Sequence, residues 1–386
     1  MSRPVKLTIA WLLLAAVASA CNDGGNGSGS AVSSNAAATP TPSALANNGS
    51  EETPKPSEAA GQSAGPYEVI GTELRIPWSI AFNGSTIYMS EREGNIVKVE
   101  GGKTTREAVR LTKAVNHEGE GGFLGLLLAP DFSESGLAYA YHTYREQGKT
   151  LNRIVLLKKE GAEWAEQRAV LEGIPGDLYH NGGRLAFGPD GMLYATTGDA
   201  EERALSQDKS SLAGKILRLT TDGGVPSDNP FPDSYVYSYG HRNPQGLAWT
   251  KDGVMYSTEH GPSGNPGGHD EVNRIVPGRN YGWPTIIGDA GHEGMEKPLY
   301  HTGEEAIAPS GTITDAQGRL IIAALRGEAI YRYTPESGQM EVLHKGDGRI
   351  RDVQLRDGRL YFITNNTDGR GTPSESDDRL VSMDYN

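Results

Sequence analysis

The sequence predicts an all-β fold: a six-bladed β-propeller made of four-stranded antiparallel blades. Three observations lead there. Glycine and tyrosine are abundant, at 51 and 17 of 386 residues, while Leu/Lys/Glu-rich helical stretches are few. A short unit recurs six times over roughly the last 320 residues, about 53 residues per copy, ample for one blade. Most of the turns inside that unit are Asn-Gly or Asp-Gly between apolar runs, a strong signal for a tight hairpin.

The chain opens on an address. Residues 1–20 carry Arg3 and Lys6, then a charge-free apolar run from Leu7 that ends on Ala18, Ser19 and Ala20. A basic start, an apolar run too short to span a bilayer and small residues at its end describe a secretory signal peptide. Cys21, the only cysteine, follows directly and resembles the acylated cysteine of a bacterial lipobox, with Ala18 where Leu is usual. Ordinary signal-peptidase cleavage is the alternative. Acylation of Cys21 would give a two-chain anchor, the one membrane contact expected, and would hold the protein outside the cytoplasm. Residues 21–65 are rich in Gly, Ser, Ala, Asn, Thr and Pro, too poor in apolar side chains to fold, and read as a flexible tether. The folded domain is expected over residues 66–386.

The six units follow in order. Trp78 to Phe82 turns at Asn83-Gly84 into Ile87 to Met89, and Phe123 to Leu128 is followed by Ala138 to Tyr141. Leu185 to Phe187 turns at Asp190-Gly191 into Leu193 to Thr196, and Leu247 to Trp249 turns at Asp252-Gly253 into Val254 to Ser257. Gly311 to Ile313 turns at Gln317-Gly318 into Leu320 to Ala323, and Val353 to Leu355 turns at Asp357-Gly358 into Leu360 to Ile363. The segment Tyr67 to Leu74 is expected to close the ring as an outer strand of the last blade. In such a ring, the loops entering each first strand and leaving each second strand share one end of the central channel. Those loops hold Glu120, His180, Asp199, Arg242, Asn243, Arg326, Arg349 and Arg351. Such chemistry gathered from different repeats points to function rather than scaffolding.

Composition removes several function classes. A formal charge of −13 argues against nucleic acid, whose binding rests on neutralising phosphates. One cysteine excludes a disulfide framework and any multi-cysteine metal site. The nine histidines show no HExxH or comparable zinc spacing. No strand–GxGxxG–helix unit is present, which excludes a nicotinamide dinucleotide site.

Several linked motifs point further. His180-Asn-Gly-Gly-Arg-Leu, Tyr239-Gly-His-Arg-Asn-Pro-Gln-Gly-Leu247, Glu259-His-Gly-Pro262, Asp270-Glu271 and Asn280-Tyr-Gly-Trp-Pro284 together resemble the quinoprotein glucose/sorbosone dehydrogenase family, in its branch of soluble aldose sugar dehydrogenases. The resemblance runs from about Ile76 to Asp384. It implies a six-bladed propeller that holds pyrroloquinoline quinone (PQQ) and Ca²⁺, oxidises the C1 hydroxyl of an aldose to the lactone and passes electrons to an external acceptor.

By the same resemblance, His180 is the base that takes the hydroxyl proton, a task suited to imidazole near neutral pH. Asp199 orients its ring, and Arg242 is the cation beside the charge that develops. Asn243, Arg326, Arg349 and Arg351 contact the cofactor, with Arg326 standing for a family Lys. Arg349 and Arg351, one residue apart on an extended segment, can grip carboxylates through neighbouring but different vectors. Glu120 stands where the family's glucose enzyme has Gln, and Tyr179 where it has an acid. Carbonyls of Gly261 and Pro262 correspond to ligands of the cofactor-bridging Ca²⁺, while Glu271 and the Tyr281 carbonyl correspond to a second, structural site. Two other readings stand beside this one. A calcium-dependent lactonase would need acidic metal ligands on the axis in place of Arg349 and Arg351. A non-catalytic binding propeller would have little reason to keep His180, Asp199 and Arg242 together.

Overall fold

The computed structural model describes residues 67–262 and 267–385. The leader, Cys21 and the tether lie outside the described residues. Among the described residues the chain is almost entirely β, with one α turn at Phe132–Ser135 and one 3₁₀ turn at Arg203–Ser206. All six hairpins form where the repeat places them. They are Pro77–Asn83 with Thr86–Glu91, Phe123–Leu128 with Leu137–Glu146, and Leu185–Phe187 with Leu193–Thr197. The others are Pro244–Trp249 with Met255–Glu259, Pro309–Thr314 with Leu320–Ala324, and Ile350–Arg356 with Arg359–Thr364.

The turns differ from the simple two-residue kind. Both central residues are left-handed only at Asp357-Gly358 (φ 51° and 72°), whereas at Asp190-Gly191 and Asp252-Gly253 only the glycine is. The reason is loop length. Asp190 lies inside a longer loop, where its carboxylate accepts the Met192 N–H (3.1 Å) and the Gly191 N–H bonds back to the Gly188 carbonyl (2.9 Å). A right-handed turn followed by one left-handed glycine closes hairpins of this length.

Six separate sheets are expected, but hydrogen bonding gives five: four of four strands and one of eight. In the large sheet the outer strand Lys103–Arg110 of the first unit pairs in parallel with Glu163–Pro175 of the second, through Ala108 to Arg110. Two exposed strand edges, each a row of unpaired N–H and C=O groups, satisfy one another at that seam. At the other end of the chain, Glu68–Gly71 runs antiparallel to Leu380–Asp384 as the outer edge of the last unit's sheet.

The core is a series of clusters, each shared by neighbouring units. Tyr88 and Ile96 of the first pack on Phe123 and Ala138 of the second. Tyr141 and Ile154 pack on Leu185 and Leu217 of the third, and Tyr194 and Ile216 on Leu247 and Met255 of the fourth. Tyr256 and Val272 meet Leu320 and Ile322, and Ile321 and Ile330 meet Val353 and Phe362. Ile363 and Leu380 of the last unit then meet Ile80 and Met89 of the first. Alternating faces of each strand supply these contacts, so every sheet is buried on both sides.

Where the innermost strands meet, one buried ion pair ties several units together. Arg184 Nη1 lies 3.1 Å from Asp352 Oδ1, and Asp352 Oδ2 accepts the Ile80 N–H at 2.8 Å. Arg184 Nε donates to the Gln245 carbonyl (2.8 Å), and the guanidinium sits 4.3 Å from the centre of the Trp78 ring. Gly311 completes the packing, since a Cβ there would fall 1.9 Å from Asp352 Oδ1.

Candidate active site

Loops from five of the six units, the second to the sixth, border two adjoining cavities at one end of this axis. The deeper, of about 220 Å³, is lined by Arg242, Arg326, Arg349, Arg351 and Arg370 against the carboxylates Glu120 and Asp270, together with His180, Gln245, His260, Gly261 and Pro262. The outer, of about 470 Å³, is lined by Glu120, Tyr179, His180, Asp199, Glu201, Arg203, Arg242 and Arg370. Among the described residues only Glu120, His180, Arg242 and Arg370 border both.

His180 sits just before the third unit's first strand with φ at 57°, a left-handed backbone uncommon for non-glycine residues. Its N–H donates to Glu120 Oε2 (3.2 Å), and its carbonyl accepts the Ala200 N–H (3.3 Å). Gly198 allows this approach, because a Cβ there would lie 1.9 Å from the His180 oxygen. The ring is aimed by Asp199, whose Oδ1 is 2.7 Å from His180 Nδ1. Asp199 is fully buried and its remaining capacity is taken by Trp283 Nε1 on Oδ2 (2.8 Å) and the Glu201 N–H on Oδ1 (2.9 Å). With Nδ1 bound to a carboxylate, Nε2 is the nitrogen left for a ligand.

Trp283 is a positioning residue that sequence reasoning passed over, although its motif was in view. Gln207 holds its carbonyl (2.6 Å), and the loop carrying Gln207 is pinned by buried Lys215, whose ammonium donates to the carbonyls of Leu205, Ser206 and Ala213. Trp283→Phe keeps the ring but removes one hydrogen bond to Asp199. A fall in kcat of about 2- to 10-fold is expected from the value of one such bond, with the fold unchanged by circular dichroism. An unchanged kcat would show that Asp199 is held without the indole.

Arg242 is buried and lines the same cavities as His180. Its guanidinium lies 5.4 Å from the Trp283 ring centre and donates to the His260 carbonyl (3.2 Å), and its backbone N–H is bound by Glu259. Burial pulls its pKa down, with Asp199 and Glu259 resisting. Arg351 is buried as well. Burial lowers it to about 9, and its hydrogen bonds go to neutral groups: Asn365 Oδ1 (2.7 Å), Gln245 Oε1 (2.8 Å) and Ser310 Oγ (3.3 Å). Arg349 pairs with Asp368 (2.9 Å), yet its buried Nε has no partner among the described residues. Arg326 is exposed at the rim of the deeper cavity.

Glu120 is resolved by a residue that sequence reasoning missed. Arg370 Nη1 bonds Glu120 Oε1 at 2.7 Å across 250 residues of sequence. Burial alone would raise the Glu120 carboxyl; the facing His260, the Arg370 guanidinium and the His180 N–H reverse the sign and hold it at about 2. The carboxylate is therefore paired and turned to its neighbours. His260 is the second missed residue: burial lowers it to about 3, and its buried Nε2 has no hydrogen-bond partner among the described residues.

The other expected residues divide. Gly261 and Pro262 line the deeper cavity, held by Asp270, which accepts the N–H groups of Gly261 (2.8 Å), Ile307 and Ala308 (2.7 Å each). Asn243 does not line it. It sits behind the wall, where Oδ1 accepts the Gly182 N–H at 3.0 Å and Nδ2 is buried without a partner among the described residues. Glu271 and Tyr281 do not line either cavity. They flank the buried His241–Glu259 pair, Glu271 opposite Glu259 in the strand ladder and Tyr281 stacked on His241 at 4.7 Å. Among the described residues no three His, Cys, Asp or Glu side chains gather as a metal cluster.

Comparison with known proteins places this arrangement. Residues 74–372 match the Glucose / Sorbosone dehydrogenase family. The chain belongs to that family. As a glucose/sorbosone dehydrogenase family member it is 29% identical over 341 residues to the aldose sugar dehydrogenase YliI of Escherichia coli K12, an alignment covering 78% of this chain and 90% of that protein. It is 32% identical over 256 residues to quinoprotein glucose dehydrogenase B of Acinetobacter calcoaceticus, covering 57% of this chain and about half (52%) of that longer protein. Among solved structures it resembles the PQQ-bound aldose sugar dehydrogenase of Streptomyces coelicolor, with a TM-score of 0.75 and 38% identity over 83% of this chain and 98% of that one. This family member thus shares both sequence and fold with sugar dehydrogenases.

Proposed function

We propose that this protein is a PQQ-dependent aldose dehydrogenase that oxidises the sugar at C1 to the lactone and passes electrons to an external acceptor. The observation that carries this reading is the deeper cavity. Five arginines against two carboxylates line it, in a chain of net charge −13. Arg351 is a buried cation with no carboxylate bonded to it among the described residues. A trianionic cofactor fits such a wall, and the unpartnered Nε of Arg349 is a donor without an acceptor until an anion arrives. The resemblance to a PQQ-bound relative supports the same choice.

When bound, the quinone would supply the two-electron acceptor for hydride leaving C1. The chain's own residues account for the rest. His180 Nε2 takes the C1 hydroxyl proton, and Asp199 stabilises the imidazolium that results. Arg242, on the boundary of both cavities, places a fixed positive charge where negative charge grows. Arg349, Arg351 and Arg326 hold the cofactor's carboxylates, and Glu120, bound to Arg370, borders both ligands.

Calcium belongs to this reading too. Carbonyls of Gly261 and Pro262 are hard oxygen donors that add no charge. At the second position Glu271 is half-buried opposite Glu259 with no basic partner among the described residues, and desolvation raises it to about 8. A cation there, shared with the Tyr281 carbonyl, would relieve that burden.

The shared clusters that link each unit to the next, and the last to the first, support a six-bladed propeller over residues 66–386 in which the eight-stranded sheet is two blades joined at their outer edges. The remaining segments are a signal peptide (1–20), acylated Cys21 and a tether to residue 65. Among the described residues no helix is long and apolar enough to cross a membrane; in this reading the acylated Cys21 is the membrane attachment. The test is reconstitution with PQQ and Ca²⁺ followed by dye reduction with a panel of aldoses. Sugar-dependent reduction that needs PQQ is expected; its absence, with no PQQ spectral change, would sink the reading. Arg351→Met is expected to weaken PQQ about 10- to 100-fold, the scale of one charge-assisted contact, as read by fluorescence titration. An unchanged affinity would move the carboxylate grip to the other arginines.

A further inference from the structure

We propose that Arg370 is a substrate-binding residue of the outer cavity, taking sugar hydroxyls away from C1. This rests on the sugar-dehydrogenase reading above and adds a residue that no motif in the sequence marks. Four side chains border both cavities: His180, Arg242, Glu120 and Arg370. The first two carry the chemistry at the boundary. The other two form an ion pair across it, 2.7 Å long.

That pairing decides which way Arg370 serves. Its charge toward the deeper cavity is balanced by Glu120, which its neighbours keep ionised against the effect of burial, so Arg370 adds little to the grip on an anionic cofactor. Arg349 and Arg351, deeper and more enclosed, already meet that need. The Arg370 side chain is 48% exposed, and beyond the Glu120 bond its guanidinium makes no other hydrogen bond among the described residues. Its plane lies 5.5 Å from the centre of the half-open Tyr179 ring, which also lines the outer cavity. A guanidinium edge can donate to two neighbouring hydroxyls at once, while an aromatic face accepts the apolar C–H side of a pyranose. The two side chains flank the base, Tyr179 by sequence and Arg370 through Glu120, which also binds the His180 N–H. A sugar held by them would present C1 to His180.

The test uses the PQQ- and Ca²⁺-loaded enzyme and its Arg370→Gln and Arg370→Lys variants, assayed with D-glucose, D-galactose, D-xylose and maltose. Wild-type turnover with at least one sugar is checked first, because its absence refutes the enzyme reading and is separate from any role of Arg370. For Arg370→Gln, KM for the best sugar is expected to rise at least 10-fold, with kcat within 3-fold and PQQ affinity by fluorescence titration within 3-fold. Arg370→Lys, which keeps the Glu120 pair but loses the planar fork, is expected to recover less than half of that KM change on a logarithmic scale. An unchanged KM would reduce Arg370 to a surface ion pair. A 10-fold loss of PQQ affinity with KM unchanged would make it a cofactor anchor. Either outcome overturns the proposal.

Discussion

Replacing His180 with Ala is expected to lower kcat by about 10³-fold, within the 10²- to 10⁴-fold range of a positioned general base, while PQQ affinity changes by less than about 3-fold. On the proposed reading the cofactor's grip rests on the arginines, whereas the His180 ring is committed to Asp199 through Nδ1 and only Nε2 would be left for the sugar hydroxyl. Loss of the ring removes the proton acceptor and leaves Arg349, Arg351 and Arg326 in place. Stopped-flow reduction of the bound cofactor by sugar, beside an equilibrium PQQ titration, separates the two effects. A variant that no longer binds PQQ would show that His180 is part of the cofactor site. A variant with near-normal kcat would transfer the proton to another group.

Arg184→Met is expected to lower the unfolding free energy by about 3–5 kcal/mol, the cost of stranding one member of a buried ion pair. Asp352 would be left inside with only backbone N–H partners; burial already raises its pKa, with Arg184 the chief opposing influence. Methionine occupies similar space over Trp78, so the change tests the charge more than the packing. Urea unfolding should show an earlier midpoint with an unchanged slope. Adding Asp352→Leu to the same chain should restore part of the loss, since the stranded charge is then gone. A single-variant loss under about 1 kcal/mol would mean that water reaches Asp352 and that the pair is dispensable.

Much of the fold was legible because its signals are local. Alternating apolar residues set the strands, and a glycine beside Asp, Asn or Gln set the turns within a few residues, so all six hairpins fall where the repeat places them. His180 and Asp199 were also readable as neighbours, since they lie at the two ends of one hairpin, 19 residues apart. Other parts of the site were not. Arg370 sits in an unremarked Gly-Arg-Gly stretch 250 residues from Glu120, and Trp283 reaches Asp199 from 84 residues away. The turn from Asp190 could be read as a turn but not as its longer form, because that depends on where the strand register ends.

Sequence alone determined the strand repeat, the acidic balance and the concentration of arginines and histidines in loops at one end of the strands. These follow from short-range rules: side-chain alternation, left-handed glycine at turns and the solvation of charge. Tertiary structure alone decided that the first two units share one sheet and that Arg184 meets Asp352 at the centre. It also decided that Asn243 stands behind the cavity wall and that Glu120 is neutralised by Arg370. Each of these pairings joins residues from different units, and its energy exists only after the units have packed. Until then no partner is within reach, and the sequence around each residue carries no mark of the other.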